Sequence, residues 1–391
     1  MSSVDVEATP AAQRNAFLAD LCLAEDATRA GILSSTQQAA DKTWTIWKQF
    51  CGDLHLDPLL QGVDDPIAVL QVYAHRVRSG ERSRSNKPVK ASTVATSLRE
   101  VGQAMALMGT NDPRLNQHGK LDLRLSRQIR SYERLDPPAT RVKPIPIGLL
   151  LLATTNTTRE SHPTALIHSC ADMTIIAFYF LMRPGEYAAT AGESHPFRLH
   201  DVELYQGARR LDHLHANVDE LTRATFVILV FTTQKNAVRG EKIGHGRSGH
   251  RHFCPVWAVV RRVQHLRQHG ANPATPLHTY YQGTPEARPH SLTTRGLNAY
   301  LRRFVATHGR AYGLRGTDVE ARSLRSSGAM ALLCARVDTD LIRLVGRWRS
   351  DAMPRYLHVQ TPMIMSPLAG SMYRGGNFAF NPLAPVPHPE V

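Results

Sequence analysis

The 391-residue chain has only five cysteines, Cys22, Cys51, Cys170, Cys254 and Cys334, and no two of them form a CxxC pair. That pattern argues against a disulfide scaffold and fits buried free thiols in a reducing compartment. Long apolar runs are also scarce. The longest, Ile175 to Met182, is too short to cross a bilayer, and the N-terminus lacks the basic-then-apolar order of a signal peptide. The expectation is a soluble intracellular protein with no membrane partner, nuclear if the host is eukaryotic. There is no GxxxxGK[ST] loop, no HExxH, no EF-hand loop and no GxSxG elbow, so no nucleotide or metal chemistry is announced. Acidic residues are the minority, 33 against 47 Lys and Arg, which leaves a formal net charge of +14. The basic residues are spread along the chain rather than packed into a tail, as suits a folded protein that touches many phosphates of a duplex.

A hydrophobic content of 42% is enough for real cores, and the length suggests more than one domain. Residues 1–34 are weakly periodic and are expected to be a flexible arm or a short helix. Between 35 and 135 four helical patterns follow one another. Ser35 and Thr36 can cap the first, which carries Trp44, Trp47, Phe50 and Cys51. Asp65-Pro66 opens the second, Ser92 caps the third, and the fourth runs from about Leu121 to Leu135. Within this region the loop GERSRSNKPVK, 80–90, is basic enough to lie on phosphates and is equally an ordinary solvated loop.

The proline-rich stretch 136–146 reads as an extended linker. Beyond it, 147–375 reads as a second domain, with a buried helix at 163–182 and strands at 197–204 and 226–233. Helices are expected near 255–269, 292–308, 323–335, 339–346 and 351–357. The fold class is therefore mainly α with a small β-sheet, α+β. The tail 376–391 is Pro-rich and expected to be disordered.

One set of residues carries chemistry. FLMRPGEY (180–187) places Arg183 and Glu186 just after the buried helix. LVFTTQKNAVRG (229–240) runs a strand into a turn with Lys235 at its tip. ARSLRSSGAM (321–330) starts a helix bearing Arg325, and LVGRWRSDAMPRYLH (344–358) ends at Tyr356. Breaking a phosphodiester without metal needs fixed guanidiniums for the charge that gathers on the phosphate oxygens, an acid for the leaving oxygen, and an in-line nucleophile. In this order the four motifs resemble the tyrosine recombinase, or phage integrase, family, with the flavour of crypton-like integrases of eukaryotic mobile elements. LHDVEL (199–204) and CPVWAVV (254–260) add to the likeness, which covers about 145–365 well and 35–135 only by plausibility.

The resemblance implies a helical core-binding domain followed by a catalytic domain, the two gripping a duplex. It implies that Arg183 and Arg325 clamp the scissile phosphate, that Lys235 protonates the leaving 5′ oxygen, and that Tyr356 forms a 3′-phosphotyrosine. Glu186 would help hold the site. No cofactor, metal or ATP is implied. The implied partners are double-stranded DNA and three further copies of the chain, as a homo-tetramer on two paired sites. Two positions depart from the family pattern. Arg322 stands where the family has His three residues before the second arginine, and Arg347, followed by Trp348, stands where it has His or Trp. All three are candidate phosphate contacts, and Trp348 could take the family's place if the local turn shifts by one residue. A DNA-binding relic of a mobile element and a type IB topoisomerase-like enzyme are the alternatives. The run His245, His250, His252, Cys254 has the residue types of a zinc site but matches no common finger spacing, and contacts from a solvated loop to DNA suit it better.

Overall fold

The computed structural model describes residues 11–32, 34–137, 142–159, 164–192, 194–232, 240–283, 288–348 and 366–377. The chain divides into two compact units, 1–139 and 140–391, with the division inside the proline-bearing stretch. The described fold is mainly helical with small antiparallel sheets, the α+β class that the sequence predicts.

In the first unit, α1 (Ala11–Ala30) stands where an arm or a short helix was expected. Four alanines and no glycine or proline between Asn15 and Ala30 let the helix propagate, and its described side chains are exposed. The unit's core lies between α2 (Ser34–Asp53), α3 (Pro66–Ser79), α4 (Ala91–Leu107) and α5 (Leu123–Leu135). Trp47, Phe50 and Tyr73 form its aromatic centre, with ring centroids 4.9–5.4 Å apart. The Trp47 indole N–H donates to the Pro58 carbonyl at 2.8 Å, so the ring is buried without stranding its one donor. Helix α4 corrects one expectation: it begins at Ala91, before Ser92, and its N-cap Lys90 makes no side-chain cap. Asp136 does the capping from a distance. Its Oδ2 accepts from the Ala91 N–H at 2.9 Å while Oδ1 pairs with Arg78.

The second unit is built around α7 (Ala165–Tyr179), whose residues are buried from Ser169 onward. Helix α6 (Ile147–Arg159) precedes it, at the start of the expected second domain, where no helix was expected. After the short α8 (Pro184–Tyr187) comes an antiparallel sheet. Its strands are β1 (Val202–Gln206), β2 (Arg209–Leu211), β3 (Phe226–Phe231) and β4 (Glu241–Gly246), in the order β2-β1-β3-β4. The strand expected over 197–204 starts only at Val202. Leu199–Asp201 is a 3-10 turn, closed by the Arg198 N–H donating to Asp201 Oδ2 at 2.8 Å.

Strand β3 buries alternate residues, Val227, Leu229 and Phe231, and pairs with β4 in the register Leu229 to Ile243 and Phe231 to Glu241. Helix α9 (Val218–Thr222) links β2 to β3, and α10 (Pro255–Gln268) follows β4. A small hairpin, β5 (Thr279–Tyr281) and β6 (Pro289–Ser291), leads to α11 (Thr294–His308). Then come α12 (Ser323–Cys334), α13 (Thr339–Gly346) and α14 (Leu368–Gly375). The helix expected at 351–357 and the tail 378–391 lie outside the described residues. None of the described helices is long and apolar enough to cross a membrane.

Candidate active site

The site grows out of the way α7 ends. The Met182 N–H reaches back to the Ala177 carbonyl at 3.0 Å, and Leu181 takes a left-handed backbone, φ +48°. This closes the helix in a Schellman-like turn usually made by glycine. A non-glycine residue there costs about 1–2 kcal/mol, and the wholly buried Leu181 side chain holds it in place. The turn leaves the carbonyls of Phe180 and Leu181 to seek donors at the negative end of a helix.

Two arginines supply them. Arg325, in the first turn of α12, donates from Nη1 to the Leu181 carbonyl at 2.6 Å and from Nη2 to the Gly346 carbonyl at the end of α13. Arg347 donates to the Phe180 carbonyl (3.1 Å), the Leu181 carbonyl (3.4 Å) and the Val345 carbonyl (3.3 Å). The C-termini of α7 and α13 are thus tied together by guanidiniums. Arg183 follows directly at the start of α8, preset by Pro184. Its N–H donates to Glu186 Oε2 at 2.8 Å, and its Nη1 to Oε1 at 3.1 Å. Glu186 is buried, and its Oε2 also receives Arg347 Nη2 at 2.8 Å.

Trp348 completes the group. Arg347 has φ +57° and ψ +40°, the left-handed C-cap of α13, so the chain reverses there. The indole of Trp348 folds back over Gly346, where a Cβ would collide with the ring. It comes to lie 4.3 Å from the Arg325 guanidinium, in cation–π contact.

The electrostatics favour an anion. Burial, then the neighbouring Arg347 and Arg183, push the Arg325 guanidinium down to about 9, with Glu186 opposing. Burial likewise lowers Arg347, against the pull of Glu186. Both remain charged at neutral pH. Glu241, the first residue of β4, sits near enough to feel Arg347 and Glu186, and burial raises its carboxyl above the usual range. Guanidiniums therefore outnumber carboxylates three to two, and a bound anion would relieve the repulsion. Arg183 keeps 29% of its side chain exposed, and Trp348 is 37% exposed, so the cluster is open to solvent.

Arg183, Glu186, Arg325, Arg347 and Trp348 are thus brought together from three stretches of sequence. Arg322 is not part of that hydrogen-bonded group: it is exposed and pairs with Glu320 at 2.8 Å. Lys235 and Tyr356 lie outside the described residues, although β3 and β4 form the hairpin from which Lys235 was expected to project. Glu241 and the helix-end carbonyls escaped the sequence reading.

The histidine run divides. His245 is buried edge-on to Phe180 at 4.7 Å. His250 Nδ1 accepts from the His252 and Phe253 N–H groups, closing a turn, and Cys254 is the buried N-cap of α10. Among the described residues no three His, Cys, Asp or Glu side chains are placed to hold a metal.

No protein-family profile and no curated protein matches the sequence. Among solved structures, the chain is similar to the Tn1549 transposon integrase in complex with circular intermediate DNA. The identity is 14%, over 85% of this chain and 91% of that one, with a TM-score of 0.46. It is also similar to a variant of that integrase in complex with transposon right end DNA, at 13% identity over 87% and 94%, TM-score 0.44. A third is the XerH site-specific recombinase bound to difH substrate, at 12% identity over 74% of each chain, TM-score 0.38. The functional assignment rests on the site itself.

Proposed function

We propose that this protein is a tyrosine recombinase of the integrase kind, which cuts and rejoins duplex DNA at specific sites. Arg183 and Arg325 hold the non-bridging oxygens of the scissile phosphate. The Tyr356 hydroxyl gives up its proton to solvent water and its oxygen attacks phosphorus, the bond to the 5′ oxygen breaks, and Lys235 hands that oxygen a proton. The product is a 3′-phosphotyrosine, which stores the bond energy so that a 5′ hydroxyl can later reverse the step without ATP. The first unit supplies further duplex contacts, and four copies act on two paired sites.

The observation that carries this reading is the meeting of Arg183 and Arg325, far apart in sequence, in a partly exposed cluster where cations exceed carboxylates. Planar guanidiniums held in place, Arg325 by backbone carbonyls and Arg183 by Glu186, are preorganised for a phosphate and need no rearrangement as charge builds on it. A second reading, binding of DNA without cleavage, is favoured by Arg322. It turns toward Glu320 at a position where the resemblance implies a histidine.

Covalent trapping separates the two. The protein is incubated with sheared DNA from its own source and denatured, and attached DNA is recovered. An adduct that disappears in Tyr356→Phe establishes strand transfer, and its sequence gives the site. Salt-sensitive binding with no adduct selects the second reading.

A further inference from the structure

Arg347 occupies a place where the resemblance implies a phosphate donor, yet its side chain is only 6% exposed and is directed at protein acceptors. Three carbonyls and Glu186 take up both terminal nitrogens. The ring of Phe231 lies 4.0 Å beneath it. Glu186 in turn holds both the backbone N–H and the guanidinium of Arg183.

We propose that Arg347 is a positioning residue and not a phosphate ligand: an internal strut that fixes Glu186, and through it Arg183, while its reversed backbone gives the pocket-facing place to Trp348. This rests on the reading of the second unit as a strand-transfer site. The Arg347 Nε–H has no protein partner but is buried, so a phosphate oxygen could reach the guanidinium only by moving it, and drawing it away from Glu186 would leave that buried carboxylate with Arg183 alone. The left-handed turn at Arg347 accounts for the exchange of places. It sends residue 347 inward and lays residue 348 across Gly346 onto Arg325. Lysine could not replace the strut, because one ammonium cannot span a carboxylate and carbonyls from two helix ends.

The full-length protein and its R347M, R347K, E186Q, R183A and E186Q/R347M variants are compared in two measurements. One is affinity for sheared source DNA against salt concentration. The other is the rate of covalent adduct formation at saturating DNA. For R347M the expectation is an unchanged salt slope and an adduct rate lower by about a hundredfold, the scale of a displacement of about 1 Å at a reacting centre. R347K should not restore the rate, and the double variant should be no slower than E186Q alone.

A salt slope shallower by about one in R347M, as a lost phosphate contact produces and as R183A should show, overturns the proposal. So do effects of E186Q and R347M that multiply. Should R347M fail to fold, R347Q, which keeps a donor toward Glu186, goes through the same measurements. If the unaltered protein binds DNA and forms no adduct, the strand-transfer reading fails, and the slopes of R347M and R183A decide the strut by themselves.

Discussion

Among its described residues the second unit buries guanidiniums in two places, and the two differ in use. Arg262, on α10, is 1% exposed and is held by the carbonyls of Leu277 (2.9 Å from Nε) and Thr279. Burial pushes it down to about 10, with Asp172 opposing. Asp172 itself is bonded to the neighbouring Arg261 at 2.7 Å. At the other place Arg325 and Arg347 are likewise held by carbonyls, but a buried carboxylate, a second exposed arginine and an open indole stand beside them. Carbonyl ligation lets a protein bury a guanidinium without neutralising it. Whether the retained charge can act on anything depends on an opening to solvent. Arg262 has none and fastens β5 to α10, whereas the Arg325 pocket has one.

The largest test of this contrast is Glu186→Gln. It removes the carboxylate bonded to the buried Arg347 and leaves only the more distant influence of Glu241, which should cost about 3–5 kcal/mol of stability, read as a fall in the urea unfolding midpoint. At Arg262 the opposing carboxylate, Asp172, is bonded to Arg261 instead, and Asp172→Asn should cost clearly less.

Next comes acid. Each pocket has a buried histidine beside it: burial, then Arg262, pushes His278 down to about 4, and burial pushes His245 down to about 4. The folded pKa values lie below the unfolded value of 6.5. The unfolded chain therefore takes up these protons first, and stability is intact above pH 6.5 and lost as pH falls toward 4. A tenfold difference in proton affinity between the folded and unfolded chain is worth about 1.4 kcal/mol, so each histidine contributes on the order of 3 kcal/mol. Melting temperature followed against pH should show the fall. His245→Phe and His278→Phe should each flatten their share, and an unchanged profile in both would remove the account.

Third, Arg262→Met leaves two carbonyls unpaired and should cost about 1–3 kcal/mol for each, with DNA binding retained. Arg325→Met loses carbonyl bonds too but relieves repulsion from Arg183 and Arg347. It should cost less stability and abolish the covalent adduct. If the two variants behaved alike in both assays, the distinction between the pockets would fall. The smallest effect is expected in the first unit, where Arg124 and Asp65 pair at 2.6 Å on an exposed rim. Arg124→Ala should leave the unfolding midpoint within experimental error.

Much of the fold was legible because helical periodicity and helix-start residues act locally. Asp65-Pro66, Pro255 and the α13 start after Asp338 stand where the helices begin. Arg183, Glu186 and Arg325 could be read as a group from ordered motifs, and Trp348 from its place beside them. The inward turn of Arg347 could not, since a left-handed conformation at a non-glycine residue is selected by tertiary contacts. Arg262 had a visible sign that went unused. It lies among Val259, Val263 and Leu266 on the apolar face of α10, where a charged residue needs an internal partner. Asp136 capping α4 from 45 residues away leaves no local sign.

The chain contains four tryptophans, and Trp348 is the one among the exposed large hydrophobic residues. Its indole rests on the Arg325 cation, whose surroundings would change if the proposed phosphate bound there. The pocket therefore carries its own optical reporter: with Trp44, Trp47 and Trp257 replaced, the emission of the remaining indole would follow occupancy in real time, without any label.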